Sequence, residues 1–371
     1  MNDFDVHVLG AGIVGRSLAL ALARSGLKVA LQADAPPVDA EDDVRAYALN
    51  AGSVELLRSL KVWEALPVGS ATPVLDMHVQ GDAHRAALDF SAWQQHVSAL
   101  AWITDAPVLE RELAAAVRFA PHITVVAPGT PVRAALMALC EGKASPTRAA
   151  LGVAVERQLY GHQAIAARLT SDRTHQGVAR QWFRAPDVLA LLPFDTPAPD
   201  RSYALVWSLP DERAQALLAL DARAFEQALM EATQGEAGAL TLSTRRAAWP
   251  LMHANATAWC GPGWVLLGDA AHVVHPLAGQ GLNLGLADVR ALVSVLRERE
   301  PWRELGDEKL LRRYARDRLA PTWAMGQLTG GLLQLFSTEA PGLRELRNRG
   351  LTLVNRLTPL KRWLATRALD S

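Results

Sequence analysis

A carboxylate at a strand tip, facing a run of unpaired backbone amides, is the most chemically suggestive arrangement in this chain. Residues 265–288 carry it in the order Gly268-Asp269-Ala-Ala-His272, His275-Pro276, Gly279-Gln280-Gly281-Leu282-Asn283 and Asp288. The apolar run Trp264 to Leu267 predicts a buried strand that ends on Gly268-Asp269. A loop bearing proline and glycine follows, and a helix is predicted to start near Gln280 or Gly281. Free N–H groups and the dipole at a helix start favour negative charge, so the segment suits a polar, electron-rich cofactor. An ordinary strand–loop–helix crossover would look the same on this segment alone.

The other end of the chain carries a second nucleotide signature. Val6-His-Val-Leu-Gly10-Ala-Gly12-Ile-Val-Gly15 leads into an alanine- and leucine-rich run that stops at Gly26. Gly10 permits a tight turn, Gly12 lets the backbone approach a pyrophosphate, and Gly15 allows helix and strand to pack closely. Strand, turn, helix and second strand (Leu27 to Leu31) stand in the order that a dinucleotide-binding βαβ unit requires. Such a unit places an acid near the end of its second strand to bind a ribose hydroxyl. Asp34 is the only acid there, one position late, and the sequence leaves a solvated loop residue as an equal reading.

Bulk properties narrow the class. The 371 residues are half hydrophobic, and 38 Lys+Arg balance 38 Asp+Glu, which gives no reason to expect a nucleic-acid partner. Cys140 and Cys260 are too few for a disulfide framework or a thiolate metal site. His272 and His275 lie three apart, but no metal is expected there. The chain enters a strand almost at once, without a basic leader, and no uncharged apolar run reaches membrane-spanning length. The expectation is a soluble, cytoplasmic protein.

Taken together, the two glycine-bearing segments resemble the FAD-dependent aromatic hydroxylases of the p-hydroxybenzoate hydroxylase superfamily. Within it they are most similar to the ubiquinone-biosynthesis hydroxylases that act on polyprenylated phenols. The resemblance implies an α/β, two-lobed fold: a Rossmann-like FAD-binding lobe (1–71, 106–154 and 246–300), an antiparallel-sheet substrate lobe (72–105 and 155–245) and a helical C-terminal region (301–371). It also implies that Asp269, behind Gly268, binds the flavin ribityl chain, and that Pro276, Gly279, Gln280, Gly281, Leu282 and Asn283 lie along the isoalloxazine. Asp43-Val-Arg45 resembles the segment whose arginine contacts the flavin phosphates or ribityl, the other reading being a surface arginine near Asp42 and Asp43. No catalytic side chain is identified; His275 and Pro276 are flavin-loop candidates. The segments Ala179 to Phe183 and Leu189 to Phe194 look like substrate-side strands, with Trp182, Phe183, Leu192 and Phe194 as candidate pocket walls and His175 as a structural histidine.

The resemblance is not uniform. The superfamily's Asp-Gly-x-x-Ser-x-x-Arg motif is here Glu141-Gly142-Lys-Ala-Ser145-Pro-Thr-Arg148, and Glu110 stands where relatives carry glutamine beside the flavin. The extra methylene of Glu141 moves its charge by about a bond length or more, enough to disturb fixed hydrogen bonds.

The implied chemistry is NAD(P)H-driven, FAD-dependent hydroxylation of a prenyl-tailed aromatic ring with O2. Alternatives are a weakened accessory or assembly subunit of a quinone-biosynthesis complex and an isoprenoid-reducing flavoprotein of the same fold. After a second helical run, Glu308 to about Phe336, kinked at Pro321, the tail 342–371 mixes arginines with leucines and Trp363. Such a tail suits packing on the cofactor lobe, contact with a partner complex, or peripheral contact at the inner face of a membrane.

Overall fold

Phe4–Leu9 is the central strand of a parallel sheet, with Val6, Val8 and Leu9 buried and Asp5 and His7 only partly so. In the computed structural model it pairs with Val29–Gln32 on one side and Ala134–Leu139 on the other. Ile123–Val126 and Trp264–Leu266 extend the sheet outward, and Cys260–Gly261 closes one edge antiparallel to Trp264–Leu266. Helix Ile13–Arg24 packs against helices Ala106–Arg118 and Gln280–Arg297, and Glu308–Ser337 packs against Gln280–Arg297. Pro321 lies inside that last helix. The structure describes residues 3–34, 43–81, 87–274 and 280–337, with the side chains of 280 and 328–337 left aside. His275, Pro276, Gly279 and the tail 342–371 lie outside the described residues.

A nine-stranded, largely antiparallel sheet forms the second layer. Its core order is Ala247–Ala256, Val155–Ser171, Ser202–Pro210, Asp187–Phe194 and Val178–Arg184, followed by Asp76–Gln80 and Ala87–Ser91. Ala247–Ala256 therefore pairs along Val155–Ser171, although its sequence position groups it with the cofactor segments. Ala46–Leu49, Ala101–Asp105 and Ala71–Val74 make a small third, antiparallel sheet. So residues 101–105 pair with Ala46–Leu49 on one side and Ala71–Val74 on the other, rather than with the large sheet. Asn50 caps helix Ala51–Ser59, its side chain accepting from the Ser53 amide at 2.8 Å.

The two faces of the large sheet differ sharply in side-chain size. Successive residues of a strand point to opposite faces. One face carries Trp182, Leu189, Tyr203, Leu205 and Trp207, packed on helices Asp211–Ala219 and Ala222–Thr233 through Leu217, Phe225 and Leu229. The other face carries Ala164, Ala166, Ala179, Ala190 and Ala204. Small residues there leave space that the bulky face does not.

Asp187 opens one of these strands, nearly buried and 3.0 Å from Arg213. Burial pushes its carboxyl from the ordinary 3.8 up to about 6, against the pull of Arg213. The folded protein then holds a proton that the unfolded chain releases, so stability from this group falls as pH rises from about 4 to about 6. Urea midpoints across that range test it: Asp187→Asn should flatten the fall, and an unchanged slope would contradict this assignment.

Candidate functional site

Between the parallel sheet and the alanine face lies a cavity of ≈ 670 Å³, large enough for a cofactor end and an aromatic ligand. At one end it is lined by Gly12, Arg45, Glu110, Gly142, Lys143, Asp269, Gly281 and Leu282. The nucleotide turn thus meets the Gly268-Asp269 segment there, as the strand order demands: Phe4–Leu9 and Trp264–Leu266 flank Ala134–Leu139 and end on the same side of the sheet.

The glycines divide into two kinds. A Cβ on Gly10 would lie 2.5 Å from the Cys140 carbonyl oxygen, and one on Gly15 would lie 1.9 Å from that of Gly10. These two are required by the turn itself; Gly10 also has φ +97. A Cβ on Gly12 or Gly281 would meet nothing within 4 Å, and both border the cavity. Gly12 begins helix Ile13–Arg24 with no side-chain cap, so the first-turn amides remain available to an anion. A dinucleotide diphosphate fits that cradle.

Charged groups surround the same end. Asp269, carried on the turn Gly268–Ala270, has its carboxyl pushed up by burial and pulled back by Lys143, His272 and Arg45. Arg45 donates to Asp43 at 2.9 and 2.8 Å, to the Tyr47 hydroxyl at 3.2 Å and to Glu110 at 3.4 Å. Its guanidinium is half-buried against the cavity rather than free at the surface. Burial pushes the Tyr47 phenol up to about 12, so it stays protonated. Asp34 is exposed and does not line this cavity.

Glu110 faces the cavity in an ion pair with Arg45. Glu141 does not line the cavity. Its carboxylate accepts from the Ser145 and Thr147 hydroxyls at 2.5 and 2.7 Å and from the Thr147 amide at 3.2 Å. The longer side chain thus caps the short helix Pro146–Ala150, and Arg148 runs beneath it to the carbonyls of Ala270 and Lys143. That anchors the Asp269 turn from below. Asn283 is likewise a scaffold residue: it accepts from the Asn50 amide and Ser53 hydroxyl and donates to the Ala48 carbonyl.

The opposite end is apolar. Of the expected walls only Leu192 lines the cavity. Trp182 points to the helix-covered face, while Phe183 and Phe194 fill small clusters of their own. The lining instead comes from the alanine face, from Met77 and Phe90, and from Trp249, Pro250, Leu251 and Met252. Sequence reasoning passed over Lys143, Tyr47, Trp249, Gln181 and Ser208. Pro250 between Trp249 and Leu251 was the available signal, since proline in a strand marks an irregularity. The Ser208 hydroxyl is buried with no hydrogen-bond partner among the described residues, a state that costs about 1–3 kcal/mol. His175 takes its expected structural role, accepting from the Gly177 amide and meeting Asp195.

Comparison with known proteins agrees with this geometry. The family model described as FAD binding domain matches residues 3–120 and 118–329. The 3-demethoxyubiquinol 3-hydroxylase of Escherichia coli (strain K12) is 29% identical, covering 96% of each chain. The ubiquinone hydroxylase UbiL of Rhodospirillum rubrum is 28% identical over 99% of this chain and 90% of its own. The crystal structure of PqsL, a probable FAD-dependent monooxygenase from Pseudomonas aeruginosa, shares the fold with a TM-score of 0.77 at 20% identity, covering 94% of this chain and 99% of PqsL. These relatives are hydroxylases and monooxygenases, so the accessory-subunit and isoprenoid-reductase readings are not favoured. The chain belongs to the FAD binding domain family, its cofactor is FAD, and its activity is that of an FAD-dependent monooxygenase.

Proposed function

We propose that this protein hydroxylates the ring of a polyprenylated phenol or benzoquinol in ubiquinone biosynthesis, using NAD(P)H and O2. The observation that carries the reading is one continuous cavity, glycine-lined and charged at one end, apolar and alanine-floored at the other. The names of the relatives supply the ring class. FAD, when bound, supplies electron transfer from NAD(P)H to dioxygen.

The chain's residues would divide the remaining work. Gly12 and the uncapped amides behind it take the diphosphate; Arg45, Lys143 and Asp269 take the phosphates and ribityl hydroxyls. Gly281 and Leu282 border the ring system. Gly10, Gly15, Glu141, Gly142 and Asn283 hold these parts in place. The apolar floor excludes water and takes the substrate's tail. We assign the cofactor to the parallel-sheet layer and the substrate to the antiparallel layer. The tail 342–371 would dock the protein on a membrane surface, where a polyprenyl chain resides; no described helix is long and apolar enough to cross a membrane.

Two measurements test this. NAD(P)H oxidation by the purified flavoprotein should rise on adding 2-farnesylphenol and yield a hydroxylated ring; no stimulation by any prenylphenol would reject the reading. Filling the floor with Ala190→Phe should lower kcat/KM for long-tailed phenols about ten-fold or more, as lost apolar contact does in hydrophobic pockets. Tail-length profiles that match the wild type would show that the tail lies elsewhere.

A further inference from the structure

The floor of the cavity is almost wholly hydrocarbon, and its exceptions are specific. Apart from the Trp249 indole, Ser208 and Gln181 are the polar side chains that the antiparallel sheet presents to the cavity among the described residues. Both are buried, at 4% and 9% exposure. The register puts them on one face: Gln181 lies opposite Ala190, and Ser208 opposite Val188 and Ala164, all of which line the same space. The two stand two strands apart and on adjoining rows, so their Cα atoms are separated by roughly 12 Å. The Ser208 hydroxyl has no hydrogen-bond partner among the described residues. The fold makes no use of it, since the packing of this sheet is done by Trp182, Trp207 and their neighbours on the opposite face.

We infer that Ser208 and Gln181 are specificity-determining anchors that hydrogen-bond the uncharged ring oxygens of the substrate and fix its orientation over the sheet. The inference rests on the phenol-hydroxylase reading above. A hydroxyl and a primary amide each donate and accept, which matches a phenol hydroxyl or an ether oxygen. Among the described residues no cationic side chain lines the sheet floor: Arg168, on the same face opposite Ala204, is held by the Arg45 carbonyl and Asp105, and Arg45 and Lys143 border the cofactor end. A ring carboxylate would therefore be buried there without a counter-charge, which is strongly unfavourable. The favoured substrate class is a neutral, prenylated phenol rather than a prenylated hydroxybenzoate.

Steady-state kinetics on the FAD-loaded, full-length protein test this with 2-geranylphenol and 3-geranyl-4-hydroxybenzoate as probes. The wild type should prefer the phenol. Ser208→Ala and Gln181→Leu should each raise its KM about 5- to 10-fold, the worth of a neutral hydrogen bond, and raise the share of NAD(P)H consumed without product. Ser208→Ala should melt at or above the wild-type temperature, because it removes an unpaired buried hydroxyl; a structural role would lower it. Wild-type KM and coupling in both variants, or equal use of the carboxylated probe, would overturn the inference while leaving the hydroxylase reading intact. A wild type that no prenylphenol stimulates would overturn both.

Discussion

A Gly12→Val variant should fold as the wild type does and be purified without FAD. The reason is geometric. The direction of a Gly12 Cβ is empty out to 4 Å, so a side chain there strains nothing in the protein. It projects beside the uncapped amides of helix Ile13–Arg24, where the diphosphate is assigned. Losing two charge-assisted hydrogen bonds at about 1.5 kcal/mol each weakens FAD binding by roughly 100-fold. Gly15→Ala behaves oppositely: its Cβ would sit 1.9 Å from the Gly10 oxygen, so the turn itself must open and thermal stability falls. Flavin content and melting temperature, measured on both variants, separate the two effects. A Gly12→Val protein that keeps its flavin would refute the assignment.

The second large effect is expected at Asp288. Its carboxylate has no solvent exposure and accepts from Arg318 Nε at 2.7 Å, His272 Nε2 at 2.7 Å and the Gly268 amide at 2.9 Å. Trp259 stacks on the His272 ring at 4.9 Å. One charge thus joins the Gly268–Ala270 turn, helix Gln280–Arg297 and helix Glu308–Ser337. Burial opposes ionisation, but His272 and Arg318 hold the carboxyl below its ordinary value. Asp288→Ala strands the buried Arg318 guanidinium and should cost about 3–5 kcal/mol of stability. It should also loosen FAD, because the turn carrying Asp269 loses an anchor. The pH dependence has a definite sign. A lowered carboxyl pKa contributes stability that is present above the ordinary carboxylate value and is lost as pH falls through the lowered one. Asp288→Asn should therefore be less stable than wild type at neutral pH, with the gap closing in acid. A gap that stays constant from neutral to strongly acid pH would contradict this role.

Local signals were legible in the sequence because their physics is local. Gly10, Gly12 and Gly15 announce a turn whose strand and helix adjoin it. The partners of Asn283 (Ala48, Asn50 and Ser53) lie some 230 residues away in the chain, so its scaffold role had no sequence mark. The same holds for Arg318, whose service to Asp288 depends on how two helices cross. The substrate floor failed for a different reason. Strands buried on both faces lose the apolar–polar alternation that tells inside from outside. Trp182 and Gln181 are adjacent and point oppositely, and only the register decides that the glutamine faces the cavity. The same ambiguity made Trp182 look like a wall, although it lies on the helix-covered face. Glu141 shows a third case: the substituted carboxylate finds Ser145 and Thr147, so the altered motif letter keeps a local cap.

The most direct test of the account is the fate of dioxygen. Purified, FAD-loaded protein supplied with NAD(P)H, 2-farnesylphenol and isotopically heavy dioxygen should give a ring-hydroxylated product carrying one heavy oxygen atom. Each such product should consume one equivalent of NAD(P)H. NAD(P)H oxidation that yields only hydrogen peroxide with every prenylated phenol offered, or product oxygen derived from water, would contradict it.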